Sequence, residues 1–171
     1  MHVNAHLDLD VVALEQADEV TMLLELEAPP APADEHQRPA AAVQIVLDRS
    51  GSMSGERLDA AQQAITRLVD RLDPEDRIGV VAFDDQVQVV VPATDLKNPL
   101  RRAMIKDAVG RVFSRGMTNL SGGLLRGVQE ARRASEGLAG GATLILLSDG
   151  HANEGETHPD MLAGVAATAR R

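Results

Sequence analysis

The chain has no cysteine, tryptophan or tyrosine, and only two phenylalanines and two lysines among its 171 residues. Without cysteine there can be no disulfide and no thiolate metal site, so any bound metal must take oxygen or imidazole ligands. Two Phe with no other aromatic side chain leave almost nothing on which bases could stack, and no cluster of Lys and Arg is present to displace counter-ions from a phosphate backbone. A nucleic-acid partner is therefore set aside. No apolar run approaches membrane-spanning length, and Met1-His2-Val3-Asn4-Ala5-His6 lacks the basic start and apolar core of a secretion signal. The expectation is a soluble, cytoplasmic chain with no membrane partner. Neither a Gly-x-x-x-x-Gly-Lys phosphate loop nor a Gly-x-Ser-x-Gly elbow is present.

Charge is unevenly spread. The formal net charge is −9, yet residues 1–40 hold nine acidic groups and one Arg, while residues 41–171 hold seventeen acidic and sixteen basic groups. The acidic part reads as residues 1–28, an amphipathic antiparallel β-hairpin. Val3, Ala5, Leu7, Leu9, Val11 and Ala13 alternate with polar residues, and Val20, Met22, Leu24 and Leu26 alternate with Thr21, Glu25 and Glu27. A lone hairpin is barely stable in water, so its apolar face is expected to cover another element. Residues 29–40, with Pro29, Pro30, Pro32 and Pro39, read as a semi-rigid linker. Residues 41–171 are long enough for one domain with its own core.

Within that domain, residues 41–48 form a nearly continuous apolar run, as a central parallel strand covered on both faces requires. Helical spacing follows in Leu58, Ala61, Ile65, Leu68, Val69 and Leu72, and Asp73-Pro74 ends it. Arg77–Phe83 reads as a second buried strand. A two-residue turn at Asp84-Asp85 leads to an antiparallel edge strand, Gln86–Val91, that Pro92 stops. Two more helices are spaced by Leu100, Met104, Ile105, Ala108, Val109 and Val112, and by Leu124, Leu125, Val128 and Ala131. Ala142–Ser148 reads as another buried strand, and Pro159 opens a final helix. Alternation of this kind predicts an α/β fold with a mainly parallel sheet, whose sites lie beyond the carboxyl ends of the strands.

Two loops fall there. Asp48-Arg49-Ser50-Gly51-Ser52 places a carboxylate and two hydroxyls at alternate positions directly behind the first apolar run, and Ser148-Asp149-Gly150 leaves the last one. Thr118, in Gly116-Met117-Thr118, sits between two helices. Asp48, Ser50, Ser52, Thr118 and Asp149 together supply five oxygens, a reasonable set for Mg²⁺ or Mn²⁺, with few carboxylates and room for water or an incoming ligand. Such a site binds acids rather than hydrolysing anything.

The chain from about Ala41 onward resembles a von Willebrand factor A domain, the fold shared by integrin I domains. The metal-ion-dependent adhesion motif of that family, Asp-x-Ser-x-Ser with a distant Thr and Asp, is matched at Asp48, Ser50, Ser52, Thr118 and Asp149. The resemblance implies a Rossmann-like sheet flanked by helices. It further implies that Ser50, Ser52 and Thr118 coordinate Mg²⁺ or Mn²⁺ through hydroxyls, that Asp48 and Asp149 act through bound waters, and that a partner protein supplies a Glu or Asp. Movement of Thr118 into or out of coordination would accompany partner binding. The family fold continues past the Asp149 strand with further strands, so the domain is expected to be incomplete, with an open sheet edge available for self-association or belonging to a longer parent.

Other readings weigh less. An EF-hand loop starting at Asp48 fails because its sixth position is Met53, where the turn needs Gly. A Mg²⁺-dependent phosphohydrolase with Asp48 as nucleophile is the rival reading, although no second carboxylate stands where an acid catalyst belongs. His151, Glu154, Glu156 and His158 lack a rigid spacing and read as a solvated rim rather than a transition-metal site. Met53 and Met117 either join that rim or fill the core. The expectation is a non-catalytic interaction module.

Overall fold

A computed structural model describes residues 2–7, 22–27, 38–150, 153–155, 158, 163, 164 and 167. The chain divides into two units, 1–37 and 38–171. In the first, strands β1 (His2–Leu7) and β2 (Met22–Glu27) pair antiparallel, with Val3 opposite Leu26, Ala5 opposite Leu24 and Leu7 opposite Met22. Apolar positions thus face apolar positions in register, as the alternation predicts. The inner ends of the two predicted strands, and most of the Pro-rich linker, lie outside the described residues.

The second unit contains a four-stranded sheet in the order β5–β4–β3–β6: β3 is Ala42–Asp48, β4 Arg77–Phe83, β5 Val87–Asp95 and β6 Ala142–Leu147. β3 pairs parallel with both β4 and β6, and β5 joins β4 antiparallel. Helices α1 (Glu56–Arg71) and α2 (Pro99–Gly110) lie on one face and α3 (Leu120–Ser135) packs on the other. The alternation along each strand explains this division. Ile45, Leu47, Ile78, Val80 and Ala82 join Leu58, Ile65, Val69, Ile105 and Val109 in one buried cluster, whereas Val46 and Phe83 turn to α3. Asn98 and Asn119 cap α2 and α3, each side chain accepting a 2.9 Å hydrogen bond, from the N–H of Leu100 and of Gly122. At the amino ends of the strands, buried Asp76 accepts from the N–H groups of Ala41 (3.1 Å) and Asp73 (2.9 Å) and from the Arg38 guanidinium (2.9 Å).

Three expectations need correction. Pro92 does not end β5, which runs on to Asp95. Ile78 pairs with Thr94 and Val80 with Val91, so Pro92 and Ala93 share the single position opposite Gly79. A proline without an N–H is tolerated at such a bulge on an edge strand. The β4–β5 turn has three residues rather than two, because Phe83 pairs with Val87. β6 is half-buried rather than buried, because among the described residues no strand pairs with its outer side. The final helix predicted from Pro159 falls mostly outside the described residues, of which Ala163, Gly164 and Ala167 are helical. No helix among the described residues is long and apolar enough to cross a membrane.

The approach of α3 to the sheet depends on two glycines. A Cβ on Gly123 would lie 2.5 Å from the Phe83 ring, and one on Gly127 would lie 2.2 Å from Val46 Cγ2 and 3.2 Å from Leu144 Cδ1. Helix propensity alone would make Gly127→Ala stabilising by about 1 kcal/mol. The short, buried Val46 side chain cannot swing aside, so overlap wins, and urea denaturation is expected to show a net loss of about 1–2 kcal/mol. A gain in stability would show that α3 does not sit this close.

Candidate metal centre

β3 delivers Asp48 to the carboxyl edge of the sheet with no exposed surface. Its Oδ1 accepts the Ser50 N–H at 2.8 Å, a local turn that directs the chain away from the strand. A single 3₁₀ turn over Gly51–Met53 follows, with the Met53 N–H donating to Ser50 O at 3.0 Å. This turn brings the Ser50 and Ser52 hydroxyls to 3.1 Å from each other. Because β6 runs parallel to β3 in register, Ser148 arrives beside Asp48 and donates its hydroxyl to Asp48 Oδ2 at 2.6 Å. Gly150 N–H in turn donates to Ser148 Oγ at 3.0 Å.

The Thr118 loop is tied to the same place by backbone bonds. Gly51 N–H donates to Gly116 O at 3.1 Å, and Arg115 N–H donates to Arg49 O at 2.8 Å. Gly116 has φ +66, and a Cβ there would meet Asp85 Oδ1 at 2.2 Å, so the position requires glycine twice over. Thr118 itself is 1% exposed. Its N–H donates to Asn153 Oδ1 at 2.7 Å, and its carbonyl accepts from the N–H groups of Asn153 (3.3 Å) and Glu154 (3.2 Å). The Asp149 carboxylate meets the Arg57 guanidinium, Nη1 to Oδ2 3.1 Å, and the same nitrogen donates to Ser52 O at 3.0 Å.

The structure therefore brings Asp48, Ser50 and Ser52 into direct contact, joins the Asp149 loop to them through Ser148 and Arg57, and joins the Thr118 loop through Gly116. The donor set fits a hard divalent cation. All the candidate ligands are oxygens, and two hydroxyls 3.1 Å apart nearly match the edge of about 2.9 Å that adjacent ligands span in an octahedral Mg²⁺ shell. Among the described residues the partners of buried Asp48 are neutral donors, Ser50 N–H and Ser148 O–H, and a buried carboxylate without a cation is costly. Among the described residues no three His, Cys, Asp or Glu side chains converge as a metal cluster, and His158 is exposed; His151 and Glu156 lie outside the described residues. Met53 is core, whereas Met117 is half-exposed beside Thr118.

Sequence reasoning missed a second buried carboxylate. Asp84, assigned only to a turn, has no exposed surface, and its Oδ2 meets Arg115 Nε at 2.7 Å and Arg49 Nε at 2.9 Å. Its Oδ1 accepts the Gln86 N–H at 2.7 Å, and its carbonyl accepts the Asn119 N–H at 2.9 Å. One residue thus fastens the Ser50 loop, the β4 end and the Thr118 loop together. Burial alone would raise its pKa, but the Arg115 and Gln86 hydrogen bonds and the two guanidinium charges outweigh that and hold it below the ordinary Asp value. The signal that could have found it is an arginine inside Asp48-x-Ser50 with no role of its own.

Residues 43–171 match the family model of the von Willebrand factor type A domain. The chain belongs to the von Willebrand factor type A family. The chain, an A-type domain from residue 43 onward, is 34% identical over 139 residues to an uncharacterised protein of Synechocystis, covering 81% of this chain and 32% of that one. It is 31% identical over 128 residues to the inter-alpha-trypsin inhibitor heavy chain H3 of Rattus norvegicus, covering 70% of this chain and 14% of the relative. The chain thus spans about a third or less of the length of these relatives. Its fold resembles the vWF domain of the type V pili tip protein Mfa5 from Porphyromonas gingivalis, with TM-score 0.53 and 23% identity over 67% of this chain and 39% of that chain.

Asp84→Asn tests the fastening role. A carboxyl whose folded pKa is depressed contributes stability that is fully present above its unfolded value near 3.9, and this is lost as pH falls through the folded value. The substitution is expected to lower stability by about 3 kcal/mol at neutral pH in urea denaturation, with the gap to wild type narrowing below about pH 4. A gap that stays constant with pH would show that the Asp84 charge contributes nothing.

Proposed function

We propose that this A-type domain is a non-catalytic, metal-dependent protein-interaction module. Mg²⁺ or Mn²⁺ is held by the Ser50, Ser52 and Thr118 hydroxyls, with Asp48 and Asp149 acting through bound waters. A Glu or Asp of a protein partner completes the shell. The observation that carries this reading is the fully buried Asp48 carboxylate, with neutral donors among the described residues, beside two hydroxyls at octahedral spacing. A bound cation supplies the charge that offsets Asp48 and an electrophilic position for a carboxylate. The chain's own part is to hold the hydroxyls in place through the Asp48 turn and to hold Thr118 through Asn153. Family membership supports an interaction role, since A-type domains generally serve in protein–protein interaction and adhesion.

The phosphohydrolase reading is weakened by the same geometry. Asp48 has both oxygens engaged and no exposed surface, so neither oxygen is free for in-line attack on a phosphorus centre.

Calorimetric titration of Mg²⁺ or Mn²⁺ is expected to show one site in wild type, no measurable binding in Asp48→Asn, and roughly 10-fold weaker binding in Ser52→Ala. Equal binding by wild type and Asp48→Asn would remove Asp48 from the site. Asp48-dependent turnover of an aryl phosphate would reinstate the enzyme reading.

A further inference from the structure

Arg57 stands in the first turn of α1, 62% exposed, yet its Nη1 reaches inward to donate to Ser52 O at 3.0 Å and to Asp149 Oδ2 at 3.1 Å. It bridges the Ser52 and Asp149 loops, which no backbone hydrogen bond among the described residues connects directly. Arg49 and Arg115 have Asp84 as their own buried counter-charge. Arg57 places its positive charge on Asp149, a carboxylate of the proposed cation site.

We propose that Arg57 is a resident counter-ion of this site and lowers its cation affinity by competition: a bound divalent ion would compete with the guanidinium for the Asp149 charge. This rests on the metal-binding reading above. The sign follows from Coulomb's law. The Arg57–Asp149 pair must be weakened when the cation enters, and a positive charge left a few ångströms from a divalent ion repels it. The exposure of Arg57 sets the size. An exposed ion pair is worth little, and solvent screens the repulsion, so the opposition amounts to roughly a 3- to 10-fold reduction in affinity rather than a block.

The test is a Mn²⁺ titration of the full chain, followed by the electron paramagnetic resonance of free Mn²⁺. The proteins compared are wild type, Arg57→Gln, Arg57→Lys, Arg67→Gln and Asp48→Asn. Arg67 is exposed and lies ten residues further along α1, roughly 15 Å away, so its removal controls for net charge. Arg57→Gln is expected to bind Mn²⁺ roughly 3- to 10-fold more tightly than wild type, with Arg57→Lys and Arg67→Gln within about 2-fold of wild type. The gain should shrink as salt rises from about 0.02 to 0.2 M. Unchanged or weaker binding by Arg57→Gln overturns the proposal, as does an equal gain in Arg67→Gln. Binding by wild type that Asp48→Asn retains, or no binding by wild type, overturns the metal reading itself and is distinguishable from either.

Discussion

A carboxylate with no exposed surface at the end of the central strand is the constraint on which the rest of the site depends. Asp48 is buried because β3 has a parallel neighbour on each side and helices over both faces. Parallel register makes β4 and β6 end at the same level as β3, so Ser148 arrives where Asp48 must be satisfied and Asp84 follows β4 into the adjoining loops. Its two oxygens are then divided between a local backbone N–H and a hydroxyl one hundred residues away. The turn made by the first of these bonds brings Ser50 and Ser52 together. The geometry of the site is therefore a consequence of sheet topology, transmitted through one side chain.

Asp48 and Asp84 show two solutions to the same physical problem. Both carboxylates are fully buried within one cluster of loops. Asp84 is neutralised by two guanidiniums and has become a structural fastener. Asp48 has only neutral donors among the described residues, and the proposed cation rests on that difference. Asn153, bonding both the N–H and the C=O of Thr118, adds a second hold on the loop that the candidate metal would share. The outer side of these loops carries groups of mixed character, with Arg57 and Met117 both exposed.

The fold was legible wherever the signal was periodic. The spacing of Leu58, Ile65 and Val69 is that of a helix with one buried face, and α1 spans the residues that spacing marks out. The run Ile78–Phe83 is apolar throughout because β4 is covered on both faces. Pro92 misleads because, even on a strand read as an edge, its tolerance depends on a bulge opposite Gly79 that is not local. β6 reads as buried from its composition alone, while its exposure depends on which strands flank it. In the candidate site, the Asp48–Ser50 turn is local and its spacing is visible in the chain. Ser148, Arg57, Asp84 and Asn153 act across 31 to 100 residues of sequence, through contacts that only the assembled fold creates.

The most direct test of the account is a crystal structure of the protein soaked in Mn²⁺, with anomalous scattering used to locate the ion. The account predicts a peak at coordination distance from the Ser50 and Ser52 hydroxyls, within water-bridging distance of Asp48 and Asp149. A well-ordered site with no such peak, or a peak held by other residues, would contradict it.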